Sequence, residues 1–163
     1  MPERKYFTPE DERKALLASG MYEIVPELQA VIEQEGSEFR DDYNDFIIWG
    51  RRNPVQLFWL GYVGVPPSSP LTDRSHVEAA DVRVHGGLTC MGIVTDPQHP
   101  DYTIYGFDCM HAFDIAPIQP KVLLPLIKEM GGKYRTKEYA RNQCLLLAAQ
   151  LKRIESSVIN SKK

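Results

Sequence analysis

Cysteine is scarce here, and the three present, Cys90, Cys109 and Cys144, do not have the number or spacing of a disulfide framework. No Cys-x-x-Cys knuckle occurs, so the His85-x-x-x-x-Cys90 and Cys109-x-His111 spacings give little support to a structural zinc. A reducing compartment is the simpler reading, and a cytoplasmic protein is expected. An excess of positive charge is also missing. Lysine and arginine total 19 against 22 aspartates and glutamates, for a net charge of −3. That balance excludes a protein that coats nucleic acid by charge alone. The basic concentrations are Arg51-Arg52, the alternation Lys133, Arg135, Lys137, and the terminal Lys162-Lys163. Long hydrophobic runs are absent too. The longest, residues 55–67, falls well short of the roughly 20 residues a membrane-spanning helix needs. No apolar segment follows the charged Met1-Pro2-Glu3-Arg4-Lys5, so no signal peptide is expected and no membrane partner. His-Glu-x-x-His, Walker, Gly-x-Ser-x-Gly and Rossmann signatures do not occur.

What is present is an ordinary globular composition, 43% hydrophobic and 25% charged over 163 residues, enough for one domain with a core. Thr8-Pro9-Glu10-Asp11 predicts a capped helix running to Ser19 and stopping at Gly20. Pro26-Glu27 opens a second helix that Gly36 ends. Residues 37–45, acidic and polar, read as a loop with a short helical turn. Residues 55–65 are aromatic and β-branched, a strand closed by Pro66-Pro67. Residues 81–85 alternate, and strands over 89–94 and 102–107 flank a turn marked by Pro97 and Pro100. Residues 120–130 form a helix ended by Gly131-Gly132. The strongest helical pattern is 136–154, with Ala140, Cys144, Leu147, Ala148 and Leu151 in one apolar stripe. Trp49, Phe58 and Trp59 are core candidates, while His76 and His99 belong to the surface. The expected fold class is α+β, a small antiparallel sheet of three to four strands with helices packed on it. The expected organisation is an N-terminal helical segment over 1–54, an α+β core over 55–155 that carries the site, and a disordered tail over 156–163.

Two polar stretches interrupt the apolar pattern. In Val84-His85-Gly86-Gly87-Leu88-Thr89, the glycines permit positive φ, so successive N–H groups can converge on an anion or a ligand can come close. The bland alternative is a tight hairpin whose His85 bonds to a neighbouring loop. In Gly106-Phe107-Asp108-Cys109-Met110-His111-Ala112-Phe113-Asp114, the spacing puts Asp108 and His111 on one face of a helical turn, with Asp114 elsewhere. His85, Asp108, His111 and Asp114 are candidate ligands for a divalent manganese, iron or zinc ion. They are equally a candidate metal-free acid–base set, with a carboxylate orienting a histidine. The local alternative is that Asp108 caps the turn and His111 answers it. Arg135 is a candidate contact for an anionic ligand beside the helix start, against the plainer reading of a solvated basic neighbour. A nucleophilic Cys109 activated by His85 lacks any local signature.

As a set, Gly61-Tyr62-Val63-Gly64-Val65-Pro66, His85-Gly86-Gly87-Leu88-Thr89, Gly106-Phe107-Asp108 with His111 and Asp114, and Tyr134-Arg135 before Glu138-Tyr139 resemble a family of small, mostly uncharacterised proteins of bacteriophages and prophages. The resemblance spans residues 61–151. This chain departs from it at Ser69-Pro70, where members often have His-Pro, and at Cys90, where they tend to carry Tyr or Phe. The resemblance implies a phage-like context and no particular activity. With it, the expected function is a phage accessory protein that binds a small polar, nucleotide-like ligand and sequesters a host immune signal. The binding set is His85, Gly86, Gly87, Thr89, Asp108, His111, Asp114 and Arg135. Two alternatives stand beside it: a hydrolase, metal-dependent or not, using the same cluster, and an inhibitor that blocks a host protein by surface contact. Nothing in the sequence fixes the oligomeric state, and a homo-oligomer is compatible with it.

Overall fold

The computed structural model describes residues 6–162. Helix α1 (Pro9–Ala18) starts as the sequence indicates. The Asp11 amide donates to Thr8 Oγ1 at 3.1 Å and the Thr8 amide to Asp11 Oδ2 at 3.0 Å, a reciprocal capping box. Strand β1 (Tyr22–Ile24) follows, then a 3-10 turn over Pro26–Leu28 that runs into α2 (Gln29–Glu35). Five strands form the main antiparallel sheet: β2 (Glu38–Tyr43), β3 (Phe46–Arg52), β4 (Trp59–Val65), β5 (Cys90–Met91) and β6 (Thr103–Asp108). Their order is β2-β3-β4-β6-β5, and a separate ribbon pairs β1 with β7 (Ile118–Pro120). A short α3 (Ser75–Glu78), α4 (Leu124–Glu129) and the long α5 (Lys137–Ser161) complete the chain.

Strand periodicity divides the sheet into two faces. Phe39, Gly50, Gly61 and Phe107 lie in one cross-strand row of the inner face, and Ile48, Val63 and Tyr105 in the next. Helix α5 lays its stripe of Ala140, Cys144, Leu147, Ala148 and Leu151 against this face, and all five are fully buried. The approach depends on Gly61. A Cβ there would stand 2.4 Å from the Phe107 ring and 2.9 Å from the Cys144 sulfur. The outer face stacks Trp49 on Tyr62 with centroids 4.9 Å apart, joined by Ile47, Ile104 and Cys90. The 92–102 loop folds towards that face and is pinned by Asp96. This fully buried carboxylate takes both terminal nitrogens of Arg40 at 2.8 and 2.7 Å. Those bonds outweigh burial and hold its carboxyl at about 2. His99, expected on the surface, is half-buried and lies 3.2 Å from Asp96 Oδ2.

The class is α+β, with a larger sheet than the sequence suggests. Residues 37–45 are not a loop, and residues 38–52 are not part of a helical segment. They form the β2–β3 hairpin, turned at Asn44, whose φ is +55°. The charges of β2 hide it: Glu38, Arg40 and Asp42 lie on the outer face while Phe39 enters the core and Tyr43 packs against it. Conversely, residues 81–85 alternate like a strand but pair with none among the described residues, and the strand expected over 89–94 shrinks to Cys90–Met91. Residues 156–161, expected to be disordered, continue α5. Among the described residues no helix is long and apolar enough to cross a membrane.

Candidate functional site

The chain leaves β6 at Asp108 and closes a tight turn. The Asp114 amide donates to the His111 carbonyl at 2.9 Å, and the His111 amide returns a bond to Asp114 Oδ2 at 3.0 Å. Residue 114 then runs beside residue 133: the Ile115 amide donates to the Lys133 carbonyl, and the Lys133 amide to the Phe113 carbonyl, both at 2.9 Å. This short parallel contact brings Arg135 to the carboxylate, with Nε donating to Asp114 Oδ1 at 2.8 Å. Asp114 itself is 2% exposed. Burial pushes its carboxyl up, but the bonds from Arg135, His85 and the His111 amide prevail and hold it below the usual carboxylate range.

His85 arrives from residues 81–89, which pass over the N-terminal half of α5. Val84, His85, Gly86 and Gly87 form a turn in which the Gly87 amide donates to the Val84 carbonyl at 2.8 Å, with Gly86 at φ +67°. The imidazole is held at both nitrogens: Nε2 lies 2.6 Å from Asp114 Oδ2 and Nδ1 2.7 Å from Tyr139 Oη. With Asp114 ionised, Nε2 donates to the carboxylate, and in the neutral imidazole Nδ1 accepts from the tyrosine hydroxyl. Burial raises the Tyr139 hydroxyl above its ordinary value, which keeps it a donor. The result is one line, Tyr139–His85–Asp114–Arg135, and it bends back on itself. The Arg135 guanidinium lies 4.8 Å from the Tyr139 ring centroid, at the i, i+4 position.

His111 and Asp108 sit beside this line. The two histidine rings meet edge-on with centroids 5.4 Å apart. His111 Nε2 is 3.2 Å from Asp108 Oδ1 without making a hydrogen bond to it, and is buried with no hydrogen-bond partner among the described residues. Asp108 caps its own turn instead, accepting from the Met110 amide at 3.0 Å. Gly86 is where the close approach occurs, and the group that approaches is this ring. A Cβ on Gly86 would stand 1.9 Å from His111 Nε2. The Gly87 amide is used within the turn, and Thr89 is exposed at the sheet edge, its amide bonded to the Gly106 carbonyl at 2.9 Å.

The sequence therefore locates the segments but pairs them differently. Asp108 and His111, expected on one face, do lie side by side, while Asp114, expected away from that face, reaches back to the His111 amide and to His85. Tyr139 and Gln143, which reasoning from the sequence gave no part in the site, touch His85 directly. The spacing Arg135-x-x-x-Tyr139 at the helix start was the available signal. Among the described residues no three His, Cys, Asp or Glu side chains are disposed to hold a metal ion. For His85 the reason is plain, since neither nitrogen has a lone pair to spare. Cys109 is 1% exposed, and burial pushes its thiol far up, so it is core and not a nucleophile.

A second carboxylate lies behind the same segment. Glu35 Oε1 accepts from Arg52 Nη2 at 3.0 Å and from the Tyr134 hydroxyl, and Oε2 accepts from the Lys137 amide at 2.7 Å. Arg52 spends its other nitrogens on the Gly36 carbonyl (2.7 Å), the Leu57 carbonyl (2.8 Å) and Tyr134 Oη (3.1 Å). Burial and the Glu35 carboxylate push the Tyr134 hydroxyl up to about 12.

No protein family, curated protein or solved structure matches this chain.

Proposed function

We propose that this protein binds a small anionic, nucleotide-like ligand at the Arg135–Tyr139 end of the His85–Asp114 line. One observation carries the reading. Arg135 spends only Nε on Asp114; its two terminal nitrogens make no hydrogen bond among the described residues, and the side chain is 26% exposed. A guanidinium fixed at one nitrogen and stacked on an aromatic ring presents its remaining donors as a preorganised fork, the geometry that suits phosphate or carboxylate oxygens. The resemblance to phage proteins extends the proposal to a role: sequestration of a host signal of this chemistry.

A second reading is favoured by the relay itself. An ionised aspartate orienting a histidine that accepts from a tyrosine hydroxyl is also an acid–base arrangement. There, Tyr139 Oη would take a proton from a water attacking phosphorus as it passes its own to His85 Nδ1; the bond to the leaving oxygen breaks, and the His85 imidazolium, stabilised by Asp114, returns the proton through Tyr139 to that oxygen. One experiment separates the readings. The purified protein is incubated with a panel of nucleotides and cyclic nucleotides, and the solution is chromatographed before and after heat denaturation. A nucleotide that leaves the filtrate and returns unchanged on heating supports binding. A new product peak supports hydrolysis, and an unaltered panel overturns both.

A further inference from the structure

His85 sits on a stretch of chain that pairs with no strand among the described residues, and yet the backbone N–H and C=O of Arg83 and the N–H of His85 find partners. The Arg83 amide donates to Gln150 Oε1 at 2.8 Å, and Gln150 Nε2 donates back to the Arg83 carbonyl at 2.8 Å. Two residues on, the His85 amide donates to Gln143 Oε1 at 2.9 Å. From these contacts we infer that Gln143 and Gln150 are positioning residues of the site: their amides replace a missing β-partner and set His85 between Tyr139 and Asp114. The inference rests on the ligand-binding reading above for its purpose, though its geometry stands apart from it.

The arrangement needs an amide at Gln150, which both accepts and donates, and an acceptor oxygen at Gln143. A residue with one amide arm can copy the paired N–H and C=O contacts of a neighbouring strand, as Gln150 does at Arg83. Seven helical residues rise roughly 10 Å, whereas two extended residues cover roughly 7 Å. Side chains two methylenes long are long enough to span that mismatch. The attachment also fixes direction, because the 83–85 segment runs antiparallel to α5 and Tyr139 lies one helical turn before Gln143. The same helix thus supplies both the tyrosine that His85 meets and the amide that sets its backbone. Val82, Val84 and Leu88 rest on the core and keep the segment down, but apolar contacts do not define its register along the helix. The two glutamines do.

The test uses the full chain labelled with 15N-histidine, so that long-range proton–nitrogen correlations report the His85 tautomer without any ligand. The wild type is expected to show one tautomer, protonated at Nε2. Gln143→Leu removes the acceptor and should mix the tautomers; Q143E keeps an acceptor oxygen and should restore the wild-type signal. Gln150→Leu, one step further from the ring, should give a smaller change in the same direction. Binding of inorganic phosphate, followed by titration, should weaken roughly tenfold in Gln143→Leu and recover in Q143E. The inference is overturned if Q143L and Q143E give the same histidine signal, whether both match the wild type or both depart from it. A wild-type protein that binds no phosphate would instead count against the proposed function, while the tautomer measurement still decides the role of the glutamines.

Discussion

Glu35 and Asp114 each hold an arginine, a backbone amide and a ring-borne partner, and the adjacent residues Tyr134 and Arg135 lead to one cluster each. The difference lies in the arginines. Arg52 spends all three nitrogens on protein partners and is 5% exposed at its side chain, whereas Arg135 spends one and is 26% exposed. A saturated guanidinium has nothing left for a ligand, and its work is to tie α2 to β3 and to the first turn of α5. An unsaturated one, held rigid, retains donors for something outside the protein. Counting satisfied donors thus separates two clusters that look alike by residue type.

The sharpest way to break this comparison is Glu35→Ala. It leaves Arg52 buried beside an empty position, and the expected loss is about 3–5 kcal/mol, a fall in melting temperature of about 10 °C. A thermal melt unchanged within about 1 kcal/mol would show that the closed cluster is not structural. Asp96 with Arg40 is a third cluster of the closed kind and is expected to matter for stability alone. Its carboxyl is depressed in the folded state from 3.8 to about 2, so its contribution is fully present above the unfolded value and drains away as pH falls from about 4 to 2. That contribution is of order 2 kcal/mol, and chemical denaturation of Asp96→Asn against wild type should show a gap that closes over that range.

Arg135→Ala should cost less stability, about 1–2 kcal/mol, because His85 and the His111 amide still answer Asp114. Its larger effect should fall on the ligand, with affinity for any nucleotide found in the panel lowered at least tenfold, or about 1.4 kcal/mol. If Glu35→Ala and Arg135→Ala weakened the ligand equally at matched folding, the open and closed clusters would not differ in the way described. Smallest of all, Tyr139→Phe removes one hydroxyl and keeps the stacked ring, so stability should change by no more than about 1 kcal/mol. A modest loss of affinity with no product would favour binding. Abolition of a reaction at preserved affinity would favour the relay as chemistry.

Parts of this arrangement can be read directly from the chain. The Thr8-Pro9 start of α1 and the apolar stripe of α5 from Ala140 to Leu151 follow from signals contained within one or two helical turns. So does the presence of chemically unusual stretches at 84–89 and 108–114, where ionisable residues interrupt apolar ones. Other parts misled. The β2 hairpin was hidden because its edge position lets charged residues fill a strand. Residues 81–85 look like a strand because they alternate, yet their partner is a helix bearing glutamines.

What the sequence determined by itself is thus the local inventory: the capped helices, the buried stripe of α5 and the segments from which a site is drawn. The tertiary structure alone decided the pairing. His85 meets Asp114 across 29 residues and Tyr139 across 54, and neither contact is favoured by any local period. Asp108 and Asp114 are chemically the same residue at similar distances along the chain from His85. Only the packing of residues 113–115 against 133 buries one, leaves the other at the rim, and so selects which carboxylate holds the histidine.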